Sequence, residues 1–88
     1  MPYIIEFSAR ARRQFAALPR RTQQRLQPHI DALAENSRPV GVKKMAGGES
    51  EYRIRVGSYR VVYEIRDRVL IVYVVAVGDR RDVYRGPR

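Results

Sequence analysis

The stretch Glu51–Tyr63, EYRIRVGSYRVVY, decides the fold. Gly57-Ser58 stands between two β-rich runs and suits a two-residue type II′ turn, because glycine takes a positive φ at the first turn position. With those residues as the loop, Val56 faces Tyr59, Arg55 faces Arg60, Ile54 faces Val61, Arg53 faces Val62 and Tyr52 faces Tyr63. Side chains alternate along a strand. Tyr52, Ile54, Val56, Tyr59, Val61 and Tyr63 therefore share an apolar face, and Arg53, Arg55 and Arg60 share the other. Like charges opposed across a sheet destabilise it by up to about 1 kcal/mol. Three arginines gathered on one face point to an anion, and the planar guanidinium fork suits phosphate.

Upstream of the hairpin, Tyr3–Phe7 reads as a first strand. Ser8 is an N-cap for a helix running to about Leu18, with Ala11, Phe15 and Leu18 on one stripe. Pro19 breaks it, and a second helix follows from about Arg21 to Glu35, burying Leu26, Ile30, Leu33 and Ala34. Pro28 inside it removes one backbone hydrogen bond and predicts a kink. Arg10, Arg12, Arg13, Arg20, Arg21 and Arg25 make this helical pair basic, either as a solvated face or as an RNA- or ribosome-binding surface. Asn36–Ser50 reads as a loop, with a short extended piece around Val42–Met45 that carries Lys43 and Lys44.

Downstream, the hairpin strands are Glu51–Val56 and Tyr59–Arg66, and Asp67-Arg68 forms a second tight turn. Val69–Gly78, VLIVYVVAVG, is apolar at every position but the last, which predicts a central strand buried on both sides. A polar tail follows, with Arg80, Arg81, Tyr84 and Arg85. The order β-α-α-β-β-β predicts an α+β domain over residues 1–88, a two-helix hairpin packed on a small, twisted, mainly antiparallel sheet.

The 88 residues are 44% hydrophobic, enough for one modest core. There is no Cys, which fits a reducing cytoplasm. The longest apolar run, Val69–Val77, is too short to span a bilayer, and no secretory leader follows Met1. A net charge of +9 favours polyanions or an acidic protein partner. The six tyrosines fill the core or stack on bases.

Several chemistries are excluded. A single His, His29, and no Cys leave no metal constellation, and no cofactor motif is present. One His does not assemble a Ser-His-Asp set. Glu64 has the strand parity of Arg60, but nothing suggests paired carboxylates. What remains is a cationic face able to position a phosphodiester and stabilise charge on its oxygens. RNA brings its own nucleophile, the 2′-hydroxyl, so a protein that holds it in line needs no metal.

With YIIEF, LAENSRP, VKKMAG, YRIRVGSYRVVYEI and VAVGDRRDVYR on the page, the chain resembles, over nearly its whole length, the RelE branch of the RelE/ParE toxins of type II toxin–antitoxin pairs. The resemblance implies a fold similar to small microbial ribonucleases. It also implies cleavage of mRNA in the ribosomal A site by 2′-hydroxyl attack, and a cognate acidic, RelB-like antitoxin held in a hetero-oligomer. It places Arg53 and Arg55 at the family's basic pair, which is often lysine, and makes Arg60 a phosphate holder. Arg80 becomes the stabiliser of the leaving group, and Tyr84 the residue that stacks on or orients the nucleotide. With arginine at both positions of the pair, a lysine base is lost there, since arginine does not deprotonate. That leaves substrate-assisted or purely electrostatic catalysis, or compensation by Lys43 or Lys44. The alternative within the superfamily is a ParE-type toxin that blocks DNA gyrase and cuts no RNA.

Overall fold

The computed structural model describes residues 2–39, 42–44 and 51–79. In chain order these form β1 (Ile4–Phe7), α1 (Ala9–Ala16), α2 (Arg20–Ala32), β2 (Lys43–Lys44), β3 (Glu51–Val56), β4 (Tyr59–Arg66) and β5 (Ile71–Asp79). The five strands make one sheet in the order β1-β5-β4-β3-β2. All neighbours are antiparallel except β1 and β5, which pair in parallel from Ile4↔Ile71 to Phe7↔Val74.

The hairpin register is the one the turn dictates, with Arg55↔Arg60 and Val56↔Tyr59 closing on Gly57-Ser58. Gly57 takes φ 62 and Ser58 keeps a negative φ, the type II′ pattern. The helices cover the apolar face of the sheet. Leu26, Ile30 and Leu33 of the second helical segment and Ala11 of the first are buried in one cluster with Ile54, Val56, Val61, Tyr63, Val72, Val74 and Val77. Ser8 caps α1, its Oγ accepting from Ala11 N–H at 3.0 Å. Phe7 and Phe15 meet edge to face at 5.8 Å.

Both helices end sooner than periodicity suggests. Leu18 N–H donates to Phe15 O, and Leu33, Ala34 and Glu35 donate to Ile30, Asp31 and Ala32. These are bonds to the third residue back, which tighten the last turn and satisfy terminal carbonyls. The second helix starts directly after Pro19 and runs on through Pro28.

Two expectations for the last strand are corrected. The turn spans Asp67–Leu70 rather than two residues, with Leu70 at φ 55. Leu70 there accepts the Ile4 N–H at 2.8 Å, so the turn positions the parallel edge strand. β5 is not equally buried on both faces: Val72 and Val74 are buried, whereas Ile71, Tyr73 and Val75 are half-buried. The helices cover only one face. A bulge, with Val62↔Ala76 followed by Tyr63↔Val74, leaves Val75 unpaired.

The sheet edge and the N-terminal strand are clasped at one corner. Arg38 donates from Nη2 to Asp67 Oδ2 at 3.0 Å and from Nε to Tyr52 OH at 3.3 Å, and Tyr3 OH donates to Asp67 Oδ1 at 2.5 Å. Beneath it, the buried Tyr63 hydroxyl donates to Ser37 O at 2.8 Å, and burial raises its pKa. The Arg38 hydrogen bond first, and that of Tyr3 second, hold the Asp67 carboxyl below the usual carboxylate range. A depressed carboxyl stabilises the fold above its unfolded value of about 4. That contribution is lost as pH falls through the lower folded value. Urea midpoints measured from pH 6 down to pH 2 are expected to fall less steeply in Asp67→Asn than in the parent protein; identical acid limbs would show that the clasp carries no pH dependence.

Candidate functional site

On the face opposite the helices, strand pairing sets two cationic pairs side by side, Lys43↔Arg53 and Arg55↔Arg60. Lys43, Arg53, Arg55 and Arg60 together line a cavity of about 210 Å³. Among the described residues lining it, none is acidic. Arg60 is only 7% exposed, whereas Arg55 and Lys43 are exposed and Arg53 is half-buried. A guanidinium so far out of water interacts strongly with whatever anion enters, because screening by solvent is weak there. The arrangement can grip a phosphate bidentately and neutralise charge on its non-bridging oxygens.

The cavity therefore gathers the three arginines read from the sequence and adds Lys43. It does so because β2 adds to the outer edge of β3, a pairing the sequence only hinted at. Lys44 pairs with Tyr52 and does not line the cavity. Arg80, Arg81 and Tyr84 lie outside the described residues.

The basic residues of the helices lie on the other layer. Arg12, Arg13, Arg20, Arg21 and Arg25 are exposed there, and Arg10 is half-buried. Arg12 faces a more voluminous groove, about 670 Å³, beside β1 and between the helices. That groove is not the better candidate, since Ile5, Phe7, Phe15 and Ala16 line much of it and, among the described residues, Arg12 is its one cation. His29 is exposed and shares a groove of about 310 Å³ with Arg55, closer to the cationic face than its sequence position implied. Among the described residues, no group of His, Cys, Asp or Glu is arranged to hold a metal.

Glu64 has the strand parity of Arg60 but forms an ion pair with Arg66 at 3.1 Å. Arg66 also lies over the Tyr73 ring at 4.5 Å. Sequence reasoning missed the Arg38–Asp67 clasp, which joins residues 29 apart. No local spacing announces it.

Comparison with known proteins places the chain in a family. Residues 5–84 match the family described as ParE toxin of type II toxin-antitoxin system, parDE. Over 88 residues the chain is 30% identical to the mRNA interferase toxin RelE of Escherichia coli, covering 96% of this chain and 92% of that one. It is 35% identical over 89 residues to the toxin RelG of Mycobacterium tuberculosis, covering 97% and 99%. Its fold superposes on the crystal structure of the intact E. coli RelBE toxin–antitoxin complex with a TM-score of 0.79, at 28% identity over 88% of this chain and 95% of that one. Among the described residues, no helix is long and apolar enough to cross a membrane.

Proposed function

The chain belongs to the RelE branch of the RelE/ParE toxins of type II toxin–antitoxin systems, and on that premise we propose that it is a ribosome-dependent endoribonuclease that cuts mRNA in the A site. The observation that carries this reading is the convergence of Lys43, Arg53, Arg55 and Arg60 on one cavity. The substrate's 2′-oxygen attacks the adjacent phosphorus. A bond from phosphorus to O2′ forms and the bond to O5′ breaks, giving a 2′,3′-cyclic phosphate and a 5′-hydroxyl. The arginines hold the phosphate in line and stabilise its added charge, so the chemistry asks for positioning and electrostatics rather than a metal.

The residue roles extend the same proposal. Arg60 is the central phosphate ligand, Arg53 and Arg55 flank it, Arg80 assists the leaving oxygen and Tyr84 stacks on the nucleotide. A lysine base, if the protein supplies one, is Lys43, which lines the cavity where Lys44 does not. The helical arginines and Arg81 contact RNA of the ribosome. An acidic antitoxin neutralises the toxin in the cytoplasm, as the RelBE complex suggests by relation.

Induced expression, with the 5′ ends of ribosome-bound mRNA mapped, tests the reading. Growth and translation stop, and new ends fall within A-site codons. Intact mRNA on arrested ribosomes would refute it, and gyrase-dependent DNA breaks would transfer the chain's activity to the ParE mode.

A further inference from the structure

A second cavity, about 160 Å³, is lined by Arg55, Gly57, Ser58 and Arg60. It shares Arg55 and Arg60 with the first, and these two residues pair directly across the hairpin. From that shared pair the first cavity extends toward Arg53 and Lys43, and the second toward the turn. Their linings are offset by two residues along β3, from Arg53 to Arg55 to Gly57, a strand distance of roughly 7 Å. That is the stride of one extended nucleotide. The turn end carries a further charge: a Cβ on Gly57 would stand 2.7 Å from Arg25 Nη2 and 3.0 Å from its Cζ. The bare glycine lets a guanidinium from α2 lie against the turn. Among the described residues lining the second cavity, too, none is acidic.

We propose that the turn cavity is a second phosphate subsite, taking the phosphate one nucleotide along from the phosphate in the first cavity. The ligand is single-stranded RNA held by two consecutive phosphates, with Arg55 and Arg60 between them. Two anchored phosphates fix the direction of the intervening sugar, whereas one leaves it to swing. This inference rests on the reading of the first cavity as a phosphate site.

The test uses the purified protein and two fluorescent 2′-O-methyl trinucleotides, which resist 2′-hydroxyl attack. One has two phosphodiesters. In the other, the second linkage is a neutral methylphosphonate. Fluorescence anisotropy at low salt is expected to show the doubly charged probe binding about tenfold tighter, the worth of one charge-assisted contact. Its salt dependence is steeper by about 0.7 in log–log slope. Ser58→Glu sets a carboxylate on the exposed rim of the turn cavity. It is expected to abolish the tenfold advantage while leaving the singly charged probe within about twofold of its parent affinity. Equal affinities for the two probes in the parent protein, or equal losses for both in Ser58→Glu, overturn the second subsite and leave the first standing. Failure of both probes to bind overturns both.

Discussion

Arg60→Ala is expected to lower ribosome-coupled mRNA cleavage by about 10²- to 10³-fold, the loss seen when one preorganised donor to a developing oxyanion is removed. Arg60 is the most shielded cation of the set, and it lines both cavities. Its guanidinium is largely shielded from water, so its interaction with a phosphate is weakly screened. Arg60→Lys keeps the charge and loses the fork, and should recover only part of the rate. Stability should move little by comparison, within about 5 °C in Tm, because Arg60 belongs to the face away from the helical core and stands opposite Arg55. Single-turnover cleavage on programmed ribosomes, with thermal unfolding alongside, separates the two effects. Cleavage within about threefold of the parent rate would remove Arg60 from the catalytic set.

Leu26→Ala is expected to do the reverse. Leu26 is fully buried at the centre of the helix–sheet interface. Truncating such a leucine costs about 2–5 kcal/mol in lost transfer energy and residual cavity. Against a total stability of about 5–15 kcal/mol this is a large share. For a domain of this size it lowers Tm by roughly 10–30 °C. Below the new transition, cleavage should persist, because the cationic pairs lie on the far face of the sheet. A loss below about 1 kcal/mol in urea unfolding would mean that the second helix does not anchor the core.

The hairpin was legible because its determinants are local. Gly57-Ser58 sets the turn, the turn sets the register, and the period of two sets the faces. The cationic face followed without further information. Lys43 was harder to place, since only the pairing of a two-residue strand with Arg53 brings it into the cavity. The parallel partnership of β1 with β5 has no local signature, because it joins Ile4 to Ile71. The burial of β5 was overestimated because hydrophobicity alone does not say on which face helices pack. The clasp of Arg38, Tyr3, Tyr52 and Asp67 unites four separate segments, and each residue alone looks like an ordinary polar side chain facing water.

The place of β5 in the sheet also governs when the fold can be completed during synthesis. The strand made last among those described lies between β1, made first, and β4. Among the described residues, the strand partners of β1 are residues 71–74, so β1 cannot join the sheet until they have been made. A nascent or prematurely terminated product therefore holds the hairpin with its arginines but lacks the strand that joins β4 to β1. Such long-range pairing is slow to form. The fold thus works as a completeness check: without β5, β1 and β4 have nothing to join them.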